Sequence, residues 1–164
     1  MTKYVKRITD FWSNDLDSHK FTTTYELGNT RDYHHENFRD SVSRCSQSFN
    51  EELPKIWPQF LQELNLDAGS VSWTLVEPGR VVPIHQDYFV NLRKQHNVNV
   101  EDCARYIIML EDWSFGQIVE FEDCLLTKWR KGDVWEFDYK VSHWAANVSN
   151  NNFYTCQVSF LKNE

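Results

Sequence analysis

The feature that most constrains the fold is a series of eight short β-prone segments between residues 70 and 160. Each contains β-branched or aromatic residues, which are typical of strands. Polar or glycine-bearing turns separate them, a pattern that favours a sandwich or barrel over alternating strands and helices. The segments are, in order, SVSWTLV, RVVPIHQDYF, ARYIIML, GQIVEF, CLLTKWR, DVWEFDY, HWAANV and FYTCQVSF.

The segment before this series has a different pattern. Apolar residues recur at helical spacing from residue 53 to residue 64, which predicts a helix with one buried face. A second helix is predicted over residues 37–48, and the run Thr22 to Thr24 predicts a loop. The residues of the apolar stripe are Leu53, Ile56, Trp57, Phe60, Leu61 and Leu64.

The length of the chain indicates one domain, because 164 residues can enclose a single hydrophobic core. We expect a mainly β protein with N-terminal helices. In this scheme residues 1–68 are helical or irregular, and residues 69–164 form the β core.

The charge and cysteine content exclude several classes of protein. A formal net charge of -7 argues against a broad grip on nucleic acid. The four cysteines form no C-x-x-C pair, so neither a zinc knuckle nor a small disulfide scaffold is indicated. The sequence shows no signal-peptide pattern and no apolar stretch of membrane-spanning length, so we expect a cytoplasmic protein that does not enter membranes.

The segment RVVPIHQDYF places His85 and Asp87 two residues apart. In an extended strand, such side chains project from the same face. His143 begins a later β-prone segment, and two imidazoles with one carboxylate from separate strands make a facial triad for Fe(II). Three ligands leave adjacent positions open for a co-substrate and dioxygen. A hydrogen-bonded core network would use the same residues without metal, so that alternative stays open.

The strand series and the two stretches PGRVVPIHQDYF and GDVWEFDYKVSH resemble the 2-oxoglutarate and Fe(II)-dependent oxygenases. Within that family the chain is most similar to the aspartyl/asparaginyl β-hydroxylase branch and to small prolyl-hydroxylase-like relatives. The resemblance implies a double-stranded β-helix (jelly-roll) core, with His85, Asp87 and His143 as metal ligands and catalytic residues. It also implies that O₂ and 2-oxoglutarate are used to hydroxylate a substrate, which we expect to be a peptide side chain or a small polar metabolite.

The last β-prone segment departs from the family pattern. A basic residue there usually pairs with the distal carboxylate of 2-oxoglutarate, but this chain has Phe153 and Tyr154 in that region. We hypothesise that Arg105 supplies the missing cation, because strand alternation puts it on the same side as Ile107 and Met109. Tyr154 would add a hydrogen bond. Two alternatives remain, a cupin-like metal oxygenase that does not use 2-oxoglutarate and a non-catalytic β-sandwich binding module.

A longer gap separates the second and third β-prone segments. It runs from Val90 to Cys103 and contains the sequence NLRKQHNVNVED. Connections of this length in a small domain are often lids over a site. The gap directly follows the His85 and Asp87 pair, so it is the predicted lid.

Overall fold

The computed structural model describes residues 1–8, 62–66 and 69–162, together with the backbone of two short strands at 23–24 and 44–48. Within these ranges, eleven strands form two antiparallel sheets. The strands are β1 (Lys3–Arg7), β2 (Thr23–Thr24), β3 (Arg44–Ser48), β4 (Gly69–Val76), β5 (Arg80–His85), β6 (Cys103–Met109), β7 (Gln117–Phe121), β8 (Cys124–Leu126), β9 (Asp133–Asp138), β10 (His143–Asn147) and β11 (Phe153–Leu161).

The two sheets face each other in a jelly roll. The larger sheet has the strand order β1-β9-β6-β11-β4-β3-β2, and the smaller has the order β5-β10-β7-β8. From β4 to β11 consecutive strands therefore alternate between the two sheets, except that β7 and β8 form a hairpin within the smaller sheet. This is the double-stranded β-helix predicted from the sequence. The inter-sheet core consists of Val76, Val82, Ile107, Met109, Val119, Phe121, Leu126, Trp129, Phe137, Val141, Ala145 and Phe153.

The eight β-prone segments correspond to β4 through β11, so the series of strands is confirmed. Two of these strands end four residues earlier than predicted. β5 ends at His85 rather than at Phe89, and β8 ends at Leu126. The turn at Pro78 and Gly79 is also confirmed, because Arg80 N–H donates to the carbonyl of Glu77.

Two predictions for the N-terminal region are wrong. Residues Arg44–Ser48 form β3 rather than the end of a helix, and Thr23–Thr24 form β2 rather than a loop. β3 pairs with β4, with Arg44 opposite Leu75, and β2 pairs with β3. The sheet edge thus supplies the backbone hydrogen bonds, which lets a segment without strand-like alternation become a strand. β1 joins the opposite edge of the same sheet.

The outer face of the larger sheet is covered by a second apolar group, the outer cluster. Ile8 and Leu64 come from the N-terminal region, and residues 62–64 are helical. The rest of the predicted apolar stripe, from Leu53 to Leu61, lies outside the described residues. The outer cluster consists of Ile8, Leu64, Val71, Trp73, Ala104, Tyr106, Ile108, Leu110, Val134, Cys156, Val158 and Phe160.

The predicted lid segment contains regular structure. Helix α1 spans Val90–His96, and a 3₁₀ turn spans Val100–Asp102. Leu92 is 2% exposed and packs with Phe89 and Cys103, which anchors α1 beside the sheet. None of the helices in the described part of the chain is both long and apolar enough to span a bilayer.

Gly132, just before β9, contacts the residue that follows β1. Its φ of 86° lies in the left-handed region, and a Cβ there would clash with the carbonyl oxygen of Ile8. Ile8 N–H donates to Gly132 O at 2.9 Å, and Gly132 N–H donates to Met109 O at 2.7 Å. Arg7 adds an ion pair with Asp133 at 2.7 Å. Residue 132 must therefore lack a side chain for β1 to reach the sheet.

This contact predicts unequal costs for two Gly→Ala substitutions. Gly79 has a similar φ of 76° but open space around it, so Gly79→Ala should cost only the left-handed backbone penalty of roughly 1–2 kcal/mol. Gly132→Ala should cost at least ~1 kcal/mol more, because it also pushes against backbone. Urea unfolding of both variants measures the difference. Equal free energies of unfolding would contradict the account.

Candidate metal centre

A β-bulge aims His85 into the space between the sheets. On β10, His143 and Ala145 are two residues apart, whereas their partners on β5, His85 and Val82, are three apart. The extra residue on β5 restores His85 to the inner side, on which Val82 already lies. Bulges commonly redirect a side chain next to a functional site.

The β5–β10 ladder sets His143 against His85. The two histidines are direct partners in the antiparallel register, and their ring centroids are 4.2 Å apart. His143 is the first residue of β10 and is 5% exposed. These contacts place His143 beside His85, as the predicted triad requires.

Asp87 lies beyond the end of β5, so strand alternation is not what positions it. The preceding residue, Gln86, donates from its amide to Lys140 O at 2.9 Å and to Ser142 Oγ at 3.2 Å. These bonds tie the loop to the turn that precedes His143. Asp87 Oδ1 lies 3.9 Å from His85 Nε2, and Asp87 Oδ2 lies 3.8 Å from His143 Nε2.

The three side chains can hold one metal ion between them. A ligand atom from each of His85, Asp87 and His143 lies within 4.8 Å of the others. The Nδ1 of His85 is 2.8 Å from Pro83 O, and the Nδ1 of His143 is 3.1 Å from Val141 O. Because a carbonyl only accepts, these contacts assign a proton to Nδ1 in both rings and turn both Nε2 atoms toward Asp87. Such orientation by backbone carbonyls is typical of metal-binding histidines.

The site around His143 is dry and aromatic. Its ring packs against Phe137 with centroids 4.7 Å apart and against Phe121 at 5.6 Å. Burial lowers the pKa of His143 from 6.5 to about 4, although the Asp87 carboxylate opposes this shift. The buried Nε2 of His143 has no hydrogen-bond partner among the described residues. A neutral imidazole with a buried, unbonded Nε2 fits a metal ligand.

Arg105 reaches the same carboxylate from the larger sheet. Its Nη1 lies 3.0 Å from both oxygens of Asp87 and donates a hydrogen bond to Oδ1. The same Nη1 donates to Gln157 Oε1 at 2.7 Å, and Nε donates to Ser159 Oγ at 3.0 Å. Burial would raise the pKa of Asp87, but the nearby Arg105 guanidinium, with smaller contributions from the His143 and His85 imidazoles, lowers it below its usual value.

Phe89 closes the site from the side of α1. The guanidinium carbon of Arg105 lies 5.3 Å from the centre of the Phe89 ring, within the range of a cation–π contact. Phe89 has a φ of 47°, an uncommon left-handed conformation for an aromatic residue. The sharp turn lets the chain pass from Asp87 into α1 while the ring, which is 6% exposed, stays over Arg105.

A cavity of about 210 Å³ adjoins Arg105, between the larger sheet and α1. Its sheet side carries hydroxyl groups and one guanidinium, whereas its helix side is mostly apolar. The cavity is therefore suited to a small ligand with an anionic group. It is lined by Ser70, Val71, Ser72, Phe89, Val90, Asn91, Leu92, Arg105 and Ser159.

The structure does not bring Tyr154 to this site. Strand alternation on β11 puts Gln157 and Ser159 on the face of Arg105, whereas Tyr154 packs against the outer cluster on the opposite face. The hydroxyl of Tyr154 accepts a hydrogen bond from Asn152 at 2.9 Å. The expectation that Tyr154 assists Arg105 conflicts with this placement, because an even-numbered residue of β11 faces away from the inter-sheet space.

Sequence reasoning missed two partners of Arg105. Gln157 and Ser159 belong to an alternating polar set, with Thr155, inside an otherwise apolar strand. Such alternation on a core strand indicates one polar inner face, so it could have identified them. The role of Gln86 carries no comparable signal, since an exposed glutamine after a strand is common.

Comparisons of the whole chain find solved structures with a similar fold, but no match in sequence to a family model or a curated protein. No protein-family model matches the sequence, and no curated protein matches it. Among solved structures, the chain is similar to the non-heme alpha ketoglutarate dependent carbocyclase SnoK from nogalamycin biosynthesis, with a TM-score of 0.55 and 13% identity. That match covers 74% of this chain and 64% of SnoK.

Two further solved structures extend the comparison. A prolyl-4-hydroxylase from Pseudomonas putida has a TM-score of 0.54 and 12% identity, with 74% of this chain and 73% of that chain covered. A cupin domain from Bordetella pertussis has a TM-score of 0.45 and 10% identity, with 74% and 95% covered. At these identities, the likeness to SnoK and to the prolyl-4-hydroxylase shows the fold alone, a double-stranded β-helix.

The buried His143 predicts a loss of stability in mild acid for the metal-free protein. The unfolded chain takes up a proton on this imidazole near pH 6.5, whereas the folded protein does so only near pH 4. The free energy of unfolding should therefore fall as the pH drops through this window, by at most ~1.4 kcal/mol per pH unit. Urea unfolding in the presence of a chelator measures the slope.

The matched control for this prediction is His143→Gln, which removes the titrating group and keeps a polar side chain. The difference in unfolding free energy between wild type and this variant should shrink as the pH falls from 6.5 to 4. Parallel pH profiles for the two proteins would show that His143 is not held neutral.

Proposed function

We propose that the protein is an Fe(II)- and 2-oxoglutarate-dependent dioxygenase that hydroxylates a peptide side chain or a small polar metabolite. The observation that carries this proposal is the convergence of His85, Asp87 and His143, with ligand atoms within 4.8 Å of one another. Two imidazoles and one carboxylate are the ligand set of non-heme Fe(II) oxygenases. They would hold an ion at three positions and leave other positions open for a co-substrate and O₂.

The chain's own residues prepare this site for a metal. Backbone carbonyls at Pro83 and Val141 orient the two imidazoles, and Phe121 and Phe137 exclude water beside His143. When bound, Fe(II) would activate O₂ as the oxidant, with two electrons supplied by the substrate and two by 2-oxoglutarate, which is converted to succinate and CO₂. The protein orients the metal ligands, excludes water from the site and supplies balancing charges.

Charge balance supports a dianionic co-substrate. In the metal-free site, the negative charge of Asp87 is offset by Arg105 at 3.0 Å, and His143 is neutral. A divalent ion would therefore leave two positive charges uncompensated in a largely buried site. Such a site favours a ligand with two negative charges. 2-Oxoglutarate has this charge, with one carboxylate next to its keto group and a second at the far end.

The cavity beside Arg105 supports a place for the distal carboxylate. We assign Arg105 as its cationic partner, with the hydroxyls of Ser70, Ser72 and Ser159 as additional donors on the same wall. This arrangement replaces the missing basic residue of the last strand by one from β6. Charge-assisted hydrogen bonds of this kind are the strong ones in ligand sites.

The comparisons add support from the fold. SnoK is described as alpha ketoglutarate dependent, and the Pseudomonas putida protein is described as a prolyl-4-hydroxylase. Both share the double-stranded β-helix of this chain.

The substrate would approach past Tyr88 and Val90, which are 62% and 50% exposed and lie next to Asp87 and Phe89 in the chain.

An anaerobic titration with Fe(II) and 2-oxoglutarate tests the proposal. We expect one equivalent of Fe(II) to bind and a weak visible charge-transfer band to develop when 2-oxoglutarate is added. Asp87→Asn should abolish both, since it removes the anionic ligand. Asparagine retains an oxygen that can accept from Arg105, so this variant avoids leaving the guanidinium unpaired.

His96→Ala is the control, because it removes a histidine on α1 outside the triad and should leave the titration unchanged. Uptake of Fe(II) without any response to 2-oxoglutarate would favour a cupin-like metal oxygenase. Absence of stoichiometric uptake by the wild type would leave a non-catalytic binding module.

A further inference from the structure

Arg105 directly contacts Asp87, a proposed metal ligand, so its charge can affect the metal as well as the co-substrate. Its Nη1 is 3.0 Å from each oxygen of Asp87, and the two side chains are 13% and 9% exposed. Any divalent ion bound to Asp87 would therefore lie close to a fixed positive charge. In a site with little water, that repulsion is poorly screened.

We propose that Arg105 couples the binding of the metal to the binding of the dianionic co-substrate. This inference rests on the proposed function and concerns the order and strength of binding at the same site. In the absence of ligand, Arg105 pairs with Asp87 and weakens the site for divalent ions. A carboxylate bound in the adjoining cavity pairs with Arg105 in place of Asp87. Asp87 is then fully available to the metal.

The surroundings of Arg105 allow this exchange without a large movement. Gln157 and Ser159 hold Nη1 and Nε from β11, at 2.7 Å and 3.0 Å, and the Phe89 ring covers the guanidinium. These contacts do not depend on Asp87, so they persist when its carboxylate turns to the ion. The cavity opens on the same wall, which Arg105 shares with Ser70. The guanidinium can therefore bind an incoming carboxylate without changing its position.

Coupling of this kind is reciprocal. If the dianion strengthens metal binding by some factor, the metal must strengthen dianion binding by the same factor. Direct chelation of the ion by a 2-oxo acid also produces coupling, so the part due to Arg105 has to be separated from it. Pyruvate allows this separation, because it has the chelating 2-oxo acid group but no distal carboxylate.

The test is calorimetric titration of the chain with Mn(II), which reads metal affinity without turnover. For the wild type, we expect saturating 2-oxoglutarate to raise Mn(II) affinity at least tenfold more than saturating pyruvate does. Arg105→Gln removes the charge, so it should bind Mn(II) alone at least tenfold more tightly than the wild type and should respond equally to the two acids. Arg105→Lys keeps the charge and should retain part of the difference between them.

Gln157→Glu provides a second variant that keeps Arg105 in place. The added carboxylate would neutralise the guanidinium at the position where Gln157 Oε1 now accepts its hydrogen bond. It should therefore also raise Mn(II) affinity in the absence of ligand and reduce the advantage of 2-oxoglutarate over pyruvate. This variant decides the matter if Arg105→Gln does not fold.

The outcomes separate the two proposals. Two results with a wild type that binds Mn(II) would show that the coupling role of Arg105 is wrong while the metal site stands. In one, neither Arg105→Gln nor Gln157→Glu binds Mn(II) more tightly than the wild type. In the other, both variants keep the preference for 2-oxoglutarate over pyruvate. A reduced Mn(II) affinity in Gln157→Glu would likewise show that Arg105 only orients Asp87. Failure of the wild type to bind Mn(II) with or without 2-oxoglutarate would overturn the proposed function, and the coupling with it.

Discussion

The pairing of β5 with β10 is the constraint on which the site depends. It makes His85 and His143 direct partners, and the bulge in β5 turns His85 toward the inter-sheet space. The same strand pair contributes Val82 and Ala145 to the inter-sheet core. Because a shift of one residue in register would point a strand's inner side chains outward, the packing that stabilises the jelly roll also specifies the candidate metal centre.

The site lies between one apolar surface and one polar surface, and this position determines its electrostatic character. Phe121 and Phe137 make one side dry, which keeps His143 neutral. β11 makes the other side polar through Gln157 and Ser159, which hold Arg105 against Asp87. The site therefore combines a neutral imidazole at His143 with a compensated carboxylate at Asp87. A divalent ion would add charge that only an anionic ligand can balance, which connects the fold to the proposed co-substrate.

Much of the core could be predicted from the sequence, because strands β4 through β11 have local patterns and polar turns that need no distant information. The approach of His143 to His85 and Asp87 was predictable from a motif and a strand series. The face of Tyr154 follows from the same kind of local pattern, because it alternates with the polar residues Thr155 and Gln157. The register that sets Ser159 opposite Arg105 was not predictable, since it depends on how β11 pairs with β6. Strands β2 and β3 were missed for a related reason, as pairing at a sheet edge outweighs local propensity.

The central claim is that three side chains from β5, its following loop and β10 bind one divalent ion. A crystal structure of the protein grown anaerobically with Fe(II) and 2-oxoglutarate, with anomalous scattering to locate iron, tests it most directly. The account predicts one iron peak about 2.1 Å from the Nε2 atoms of His85 and His143 and from an oxygen of Asp87. Iron bound elsewhere, or a site in which Arg105 still spans both oxygens of Asp87 with no metal present, would contradict it.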